Sequence, residues 1–230
     1  MAGENKGKIV VSKDGPYLVS GKLPLAKEII VCARSGEPVE WKKGDKFPDK
    51  EAYSLCRCGK SKNKPYCDGM HAKAGFDGTE TADDRKCLEK AEKTEGPGLV
   101  LTDAPALCAG ARFCHLGGGT WELTEKSGDP QKKKLAIREA CDCPSGRLVA
   151  WDKGKPIEPK FRKSLSLVED PCAECSGPIW VKGGVQVQSA DGKKYMVRNR
   201  VTLCRCGNSR NKPFCDGSHI DAKFSDENEK

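Results

Sequence analysis

The chain has 230 residues, enough for one large domain or for two to three small ones. Only 37% of the residues are hydrophobic and 6% aromatic, whereas 14 are cysteines, so we expect three compact units stabilised in part by bound metal. The net charge of +8 does not indicate a nucleic-acid-binding protein, because 33 acidic residues are interleaved with the basic ones and the one lysine run, residues 132–134, is typical of an exposed helix start.

Nothing in the sequence predicts attachment to a membrane. No stretch approaches the roughly 20 apolar residues of a membrane span, and the first residues lack the apolar core and cleavage pattern of a secretory signal. We therefore expect a cytoplasmic protein. In a reducing compartment clustered cysteines are typically metal ligands, although an export route would favour disulfides.

The N-terminal part, residues 8–55, alternates short apolar runs with turn residues and predicts a small β-rich unit. Strands are expected in the runs IVVS, PYLVSGKLPL, EIIVCA, PVEW and AYSL. Cys32 lies alone in an apolar run, which favours a buried structural thiol over a metal ligand. Residues 72–98 are polar and end in Gly-Pro-Gly, so we expect a linker with a short helix around Asp83 to Lys93.

The central part, residues 99–168, predicts strands in LVLT, TWELTEK and LVAWD and a helix in KKKLAIREA. The C-terminal part returns to β-rich patterning, with a hairpin turn expected at Asp191–Gly192. Its Gly177-Pro178 and the Val-x-Gly that follows repeat the pattern of Gly15-Pro16 and residues 19–21. The interval from this Gly-Pro to the next Cys-x-Cys is fourteen residues longer in the N-terminal copy.

One sixteen-residue motif occurs twice, as CRCGKSKNKPYCDGMH (residues 56–71) and CRCGNSRNKPFCDGSH (residues 204–219). Each copy has the spacing C-x-C-x₈-C-x₃-H. Three thiolates and an imidazole suit tetrahedral zinc or two tetrahedral irons that share sulfides, and C-x-C is tight for a single zinc, so the spacing favours [2Fe–2S]. We expect the first two cysteines to bind one iron and the third cysteine and histidine to bind the other. The predicted ligands are Cys56, Cys58, Cys67 and His71, and Cys204, Cys206, Cys215 and His219.

Both motifs resemble the signature of the CDGSH iron–sulfur family, the mitoNEET-like proteins: C-x-C-x₂-[ST]-x₃-P-x-C-D-G-[SAT]-H. The C-terminal copy fits at every position, whereas the N-terminal copy has Met70 where a small residue is usual. The resemblance implies a cluster-binding loop and helix start beneath a β-cap. It also implies that two such units pair, either within one molecule, as an intramolecular pseudo-dimer that we prefer, or in a homodimer.

The motif residues also predict how the clusters behave. An oxidised cluster with three thiolates carries a charge of about −1 and a reduced one about −2, so the arginines and lysines inside each motif would favour the reduced form. Protonation of His71 or His219 removes the lone pair that binds iron, so we expect the clusters to become labile in acid. We expect Asp68 and Asp216 to cap the turn that follows the third cysteine, leaving backbone N–H groups to point at sulfur. The residues predicted to support the ligands are Ser61, Asp68, Ser209 and Asp216.

The central cysteines form a different pattern, C-x₅-C followed at a distance by Cys-Pro. This segment resembles the divergent single-cluster [4Fe–4S] ferredoxin-type domains that accompany CDGSH motifs, with CPSGRL as its closing signature. The resemblance assigns Cys108, Cys114 and Cys143 to a third cluster, [3Fe–4S] with these three ligands or [4Fe–4S] if Cys141 completes the set. The alternatives are a segment without a cluster, or a zinc site that uses Cys172 and Cys175. His115 is expected at the surface.

Cys172 and Cys175 form a separate C-x₂-C pair, which is typical of a redox pair, a zinc half-site or two thiols at a domain junction. The sequence does not choose among these three.

Taken together, these features predict an α+β protein of mostly small β-rich units. The expected domains are a CDGSH unit with its linker (1–95), a ferredoxin-like domain (96–170) and a second CDGSH unit (171–230). We expect one-electron transfer or redox sensing, with cluster storage and transfer, or a zinc-stabilised binding module, as alternatives. No nucleophile elbow, phosphate loop or nucleotide fingerprint occurs, so we do not expect an enzyme. The expected partners are redox proteins or apo iron–sulfur acceptors, and neither nucleic acid nor membrane.

Overall fold

The computed structural model describes residues 7–227, apart from the side chains of residues 84 and 86. Within that range the strands form three sheets, and the predicted α+β class is confirmed. The strands are β1 (Lys8–Val11), β2 (Tyr17–Ser20), β3 (Leu25–Cys32), β4 (Pro38–Lys46), β5 (Ala52–Leu55), β6 (Glu92–Glu95), β7 (Val100–Asp103), β8 (Leu148–Asp152), β9 (Lys155–Ile157), β10 (Ser164–Asp170), β11 (Cys175–Lys182), β12 (Gln186–Gln188) and β13 (Arg200–Leu203). The α-helices are α1 (Met70–Lys73), α2 (Asp84–Glu89), α3 (Thr120–Glu125) and α4 (Pro130–Asp142), and 3-10 turns span Pro105–Leu107, Phe113–Gly118 and Pro171–Ala173.

The strands predicted in the N-terminal part all form, and in the first two of them the buried residues alternate. β1 buries Ile9 and Val11, and β2 buries Tyr17 and Val19, so each strand turns one face to the core. β11 differs, since all eight of its residues are buried. Such a strand is covered on both faces and lies inside the molecule.

Each half of the sequence repeat contributes to the sheet of the other half: β12 joins the first sheet, and β3 joins the second together with β4. The first sheet has the order β12-β1-β2-β5, and the second has the order β13-β11-β10-β3-β4. β1 pairs in parallel with β12, and β3 pairs in parallel with β10. The strands β1, β2, β3 and β5 therefore correspond to β10, β11, β12 and β13, and a pseudo-twofold axis relates the two sets.

The additional residues of the N-terminal copy form a turn and β4, which pairs antiparallel with β3. The corresponding segment after β12 contains the predicted turn at Asp191–Gly192, where Gly192 N donates to the carbonyl oxygen of Ser189 at 3.1 Å. Among the residues described, one bridge pairs the two sides of this turn, between Gln188 and Lys194. The expected hairpin is therefore reduced to one bridged pair.

Strand exchange gives the two halves one common core. Buried residues from both halves pack in this core, among them Ile9, Tyr17, Leu55, Leu167, Ile179, Leu203 and Phe214. The sheets also divide the chain differently from the expected boundaries. β6 lies before residue 96 but pairs with β7, and β10 lies before residue 171 but pairs with β11.

The segment expected to be a linker, residues 72–98, is structured and packs on the C-terminal half. It contains α2, within the predicted helical range, but it also contains β6, which was not predicted. The backbone N–H groups of Thr81 and Ala82 donate to the carbonyl oxygen of Lys212 at 2.9 and 3.0 Å. The polar composition of this segment therefore reflects exposure to solvent, although its backbone is held against the C-terminal half.

The central unit has a four-stranded sheet, β6-β7-β8-β9, covered by α3 and α4. The strand predicted in TWELTEK is wrong, because these residues form α3. The buried residues of this segment are Thr120, Leu123 and Thr124, which is helical spacing, and they pack towards α4. The predicted helix is confirmed as α4, which begins at Pro130 with Asp129 as its N-cap.

The interpretation of Cys32 as a free structural thiol is wrong, because Cys32 forms a disulfide with Cys172, 140 residues away. Parallel pairing of β3 with β10 places Ile29 opposite Glu169, so the end of β3 lies beside the 3-10 turn that follows β10. This contact depends on the exchanged strand and leaves no local signal in the sequence. Since Cys172 is bonded to Cys32, it does not form a redox pair with Cys175, whose thiol is free and buried.

The longest helix in residues 7–227 is α4, with 13 residues. None of the helices described has the length and apolar character needed to cross a bilayer.

Candidate metal centres

The first Cys/His motif forms a closed loop at the end of β5. The backbone N–H of Cys56 donates to the carbonyl oxygen of Pro65 at 2.8 Å, which fixes the width of the loop. The Sγ atoms of Cys56 and Cys58 lie 3.7 Å apart, and Sγ of Cys67 lies 3.4 Å from Nδ1 of His71. The four predicted ligands therefore come together as two pairs.

The second motif repeats this arrangement at the end of β13. The N–H of Cys204 donates to the carbonyl oxygen of Pro213 at 2.9 Å. The Sγ atoms of Cys204 and Cys206 are again 3.7 Å apart, and Sγ of Cys215 is 3.4 Å from Nδ1 of His219. In both motifs the peptide bond before the proline is cis.

These separations match the edges of a metal tetrahedron. Metal–sulfur bonds of about 2.3 Å and metal–nitrogen bonds of about 2.0–2.1 Å give S···S edges of about 3.8 Å and S···N edges of about 3.5 Å. Each pair of ligands can thus hold one tetrahedral metal and leave two positions for bridging sulfides. The residues present fit a [2Fe–2S] cluster held by three cysteines and one histidine.

The paired thiols are also prepared to lose protons to a metal. A hydrogen bond from Cys58 lowers the pKa of the Cys56 thiol to about 6, and a hydrogen bond from Cys206 lowers that of Cys204 to about 7. The second thiol of each pair has a raised pKa, first because it donates its proton to the first sulfur, and then because burial and the repulsion between two negative charges disfavour its ionised form. A metal cation in place of the shared proton removes this repulsion.

The serines and aspartates predicted to support the ligands lie in equivalent positions. Ser61 Oγ donates to the carbonyl oxygen of Tyr66 at 2.6 Å, and Ser209 makes the same bond to Phe214 at 2.7 Å. The N–H groups of Lys62 and Met70 donate to Asp68 and lower the pKa of its carboxyl.

Asp216 likewise accepts from the N–H groups of Arg210 and Ser218 at 2.9 and 3.1 Å. The N–H groups of Gly69 and Gly217 lie 3.4 Å from Sγ of Cys67 and Cys215, the donors to sulfur expected from the sequence.

The arginine between the first two cysteines is buried in both motifs but has different partners. Arg205 pairs with Asp226 at 2.5 Å and with Glu169 at 2.9 Å, so its charge is compensated. Arg57 donates to the carbonyl oxygens of Ser12 and Gly78, and among the side chains that the structure describes it forms no ion pair within 4.0 Å. The N-terminal site therefore lies beside a buried cation that packs on the rings of Tyr17 and Phe76 and has no directly paired carboxylate among the side chains described.

The two motifs meet at the pseudo-twofold axis. Cys58 and Cys206 form an antiparallel bridge. A Cβ added at Gly59 would lie 2.6 Å from the carbonyl oxygen of Cys206, and one at Gly207 would lie 2.6 Å from that of Cys58. Both glycines have positive φ, so this joint requires glycine for two reasons.

Sequence reasoning missed Tyr17, which connects the halves. Its hydroxyl donates to the carbonyl oxygen of Cys204 at 2.7 Å and lies 3.0 Å from that of Pro213, both in the other motif. Burial raises the pKa of this hydroxyl well above its ordinary value, so it stays a donor. The only available signal is that Tyr17 follows the repeated Gly-Pro, where the second copy has Ile179.

In the central unit, Cys108, Cys114 and Cys143 line one small cavity together with Arg147. Burial and the neighbouring thiols Cys143 and Cys108 raise the pKa of Cys114 to about 12. Arg147 is held by a bidentate pair with Asp103, at 2.5 and 2.8 Å, and supplies positive charge at the cavity.

Cys141 lies outside this set, since its Sγ points to the carbonyl oxygen of Ile157 at 3.8 Å. His115 is exposed, at the surface position expected from the sequence. Three of the four cysteines proposed for the third cluster therefore converge, and that donor set fits an iron–sulfur cluster with three protein thiolates.

The central cavity borders the second motif. A Cβ added at Gly217 would lie 3.7 Å from the carbonyl oxygen of Cys108, and one added at Gly110 would lie 2.6 Å from Ile220. The side chain of Asn211 donates to the carbonyl oxygen of Ala106 at 2.9 Å. The third site is thus in direct backbone contact with the C-terminal motif.

Three convergent sets of thiolates, two of them completed by histidine, define the class of an iron–sulfur protein. The family described as iron-binding zinc finger CDGSH type matches residues 14–72 and 176–220, and the family described as divergent 4Fe-4S mono-cluster matches residues 94–153. The chain carries two CDGSH domains that flank one divergent 4Fe-4S domain, and the suspected family resemblance is confirmed. Searches of curated proteins and of solved structures found no significant match.

Proposed function

We propose that this protein is a one-electron carrier with two [2Fe–2S] clusters, held by the two Cys₃His sets, and a third cluster held by Cys108, Cys114 and Cys143. The observation that carries the proposal is the pairing of ligands at tetrahedral edge distances in both motifs, 3.7 and 3.4 Å. The backbone contacts from Cys108 to Gly217 and from Cys58 to Cys206 then connect all three donor sets in one molecule.

Each cluster, when bound, supplies one reversible electron. The residues of the chain hold the irons, exclude water from the buried sulfurs and set the local charge through Arg57, Arg205 and Arg147. The proposed partners are redox proteins, and no catalytic chemistry is assigned. We propose a monomer in which the two CDGSH units form a pseudo-dimer, because their strands already exchange within one chain.

The test is the metal content of protein purified without air. We expect two [2Fe–2S] clusters and a third cluster by iron and sulfide analysis, charge-transfer bands in the visible spectrum and distinct EPR signals before and after reduction. Stoichiometric zinc without charge-transfer bands would instead support a zinc-stabilised module. Sedimentation of the holo-protein at the mass of one chain supports the intramolecular pair.

A second candidate function is storage of [2Fe–2S] clusters and their delivery to apo-proteins. It is favoured by the partial exposure of Cys67 and His71, which leaves one pair of ligands open to an incoming thiol. Transfer of iron and sulfide to an apo-ferredoxin, lost when His71→Cys replaces the histidine by a stronger ligand, would support it.

A further inference from the structure

The two CDGSH sites have the same ligands but different surroundings. Gly69 and Gly217 occupy the same motif position, and a Cβ built at Gly69 has no atom within 4 Å, whereas one built at Gly217 meets the loop of Cys108. The ligands beside them differ accordingly. Cys215 and His219 are 2% and 3% exposed, whereas Cys67 and His71 are both partly exposed.

The C-terminal site is covered by residues 106–114 of the central unit, the central cysteine loop. Two polar contacts attach this loop. Arg112 of that loop makes a bidentate pair with Asp170 at 2.7 and 3.0 Å, and Asp170 is itself buried. Asn211 of the second motif donates to Ala106 at the other side of the loop. The equivalent residue of the first motif, Asn63, is exposed.

We propose that the two CDGSH sites divide their work: the N-terminal site exchanges electrons or clusters with partners, and the C-terminal site is an enclosed relay between it and the central site. The inference rests on the proposed function. The ordering follows from the contacts, since the C-terminal motif touches the central loop through Gly217 and the N-terminal motif through Cys206. Of the two CDGSH sites, only the N-terminal one has partly exposed ligands among the residues described. The cysteines of the central site are also partly exposed, so the enclosed C-terminal site lies between two accessible ones.

For cluster delivery, the exchange is a ligand substitution in which no electron is gained or lost. Acceptor thiolates replace Cys67 and His71 first, because these are the exposed pair, and then replace Cys56 and Cys58. Four metal–ligand bonds break and four form. Of the four protons released by the acceptor cysteines, three would go to the departing thiolates and one to solvent, because the imidazole leaves as a neutral ligand.

The first experiment compares His71→Cys with the matched His219→Cys in holo-protein at pH 8, with apo-ferredoxin or EDTA as the probe. We expect wild type and His219→Cys to lose one [2Fe–2S] cluster per chain, and His71→Cys to lose it at least tenfold more slowly. Visible circular dichroism and the iron content of the re-isolated protein report the loss. Equal loss from both sites, or slowing by His219→Cys alone, would overturn the assignment.

The second experiment removes the cover. The double variant Arg112→Gln/Asn211→Ala should make the second cluster leave at least several-fold faster, whereas Asn63→Ala should leave both rates unchanged. A double variant that keeps the wild-type rate while retaining its far-UV spectrum contradicts enclosure by the central loop. A protein that contains no [2Fe–2S] cluster as purified refutes the proposed function itself, so the two failures are distinguishable.

Discussion

At the scale of single residues, the two buried arginines give the two CDGSH sites unequal electrostatics. Arg205 is paired with Asp226 and Glu169, whereas Arg57 donates to two carbonyl oxygens and packs on two aromatic rings, with no paired carboxylate among the side chains described. A buried charge without a directly paired counter-ion acts more strongly on its neighbours than one in an ion pair. The N-terminal site should therefore have the higher reduction potential, because reduction adds a negative charge beside Arg57.

The first prediction is that Arg57→Gln lowers the potential of the N-terminal cluster by on the order of 50 mV, which corresponds to about 1 kcal/mol for one electron. Arg57→Lys, which keeps the charge, should retain most of the wild-type potential. Redox titration followed by EPR measures both. A midpoint unchanged in Arg57→Gln would show that the arginine acts only through its hydrogen bonds.

The second prediction concerns Tyr17. Tyr17→Phe removes the donor to the carbonyl oxygens of Cys204 and Pro213 without changing the packing of the ring, and it should cost about 1–2 kcal/mol of stability. The loss should appear as faster release of the C-terminal cluster on heating. Tyr53→Phe, which removes a bond to Leu23 and borders the first motif instead of the second, is the matched control. Equal effects of the two changes would contradict a specific role for Tyr17.

The residues that could be predicted are those whose function depends on local spacing. The pairs Cys56–Cys58 and Cys67–His71 lie within four positions of each other, so the sequence brings them together without knowledge of the fold. Tyr17 lies 187 residues from Cys204, and its role depends on strand exchange. Such a contact has no periodic or compositional signal.

At the scale of elements, the packing of α3 on α4 buries a carboxyl group. Glu139 is fully buried and accepts a hydrogen bond from Thr120 at 2.6 Å, while its other oxygen has no partner among the residues described. Burial raises the pKa of Glu139 to about 7. Because the folded state holds this proton more tightly than the unfolded state, the stability contributed at low pH is lost as the pH rises through about 7.

The third prediction follows from the raised pKa of Glu139. Glu139→Gln stays neutral, so its stability relative to wild type should increase by about 1 kcal/mol from pH 6 to pH 8.5. Thermal unfolding of the holo-protein followed by circular dichroism across that range measures the difference. Glu125→Gln changes an exposed carboxylate of α3 and should show no such trend. A constant difference between Glu139→Gln and wild type would mean that the carboxyl is ionised throughout.

The disulfide between Cys32 and Cys172 fastens the exchanged strand β3 to the turn after β10. It closes a loop across 140 residues of sequence, and disulfides of this kind typically contribute about 2–4 kcal/mol. The fourth prediction is that Cys32→Ser/Cys172→Ser lowers the free energy of unfolding by that amount, which is measured as a lower unfolding midpoint. Wild type in dithiothreitol should behave like the double variant, and a reductant-insensitive midpoint would show that the bond does not contribute.

The elements themselves show where sequence patterns suffice. Strands with alternating burial, such as β1 and β2, were predicted because the pattern is local. TWELTEK was mistaken for a strand because its threonines and tryptophan favour strands individually, whereas contact with α4 selects the helix. The parallel pairs β1–β12 and β3–β10 join segments more than 130 residues apart, and no local rule specifies such partners.

At the scale of the whole molecule, an approximate symmetry is broken by one inserted unit. The two CDGSH halves are related by a pseudo-twofold axis and share one core. Of the two Cys/His motifs, the second is the one that touches the cysteine loop of the central unit in the described part of the chain, at Gly110 and Cys108. Duplication therefore supplied two equivalent sites, and the insertion made them different by covering one of them.

The joint on the pseudo-twofold axis should then be essential to both halves. Gly59→Ala adds a methyl group 2.6 Å from the carbonyl oxygen of Cys206 at a residue with φ of +74°, so steric overlap and backbone strain act together. We expect a loss of more than about 2 kcal/mol in stability, with faster release of both [2Fe–2S] clusters. Gly36→Ala isolates the strain alone, because Gly36 has φ of +85° but no atom within 4 Å of the added carbon. It should cost about 1 kcal/mol and leave cluster release unchanged. If Gly59→Ala releases only the N-terminal cluster, the two sites are mechanically independent and the strand exchange, not the joint, holds the halves together.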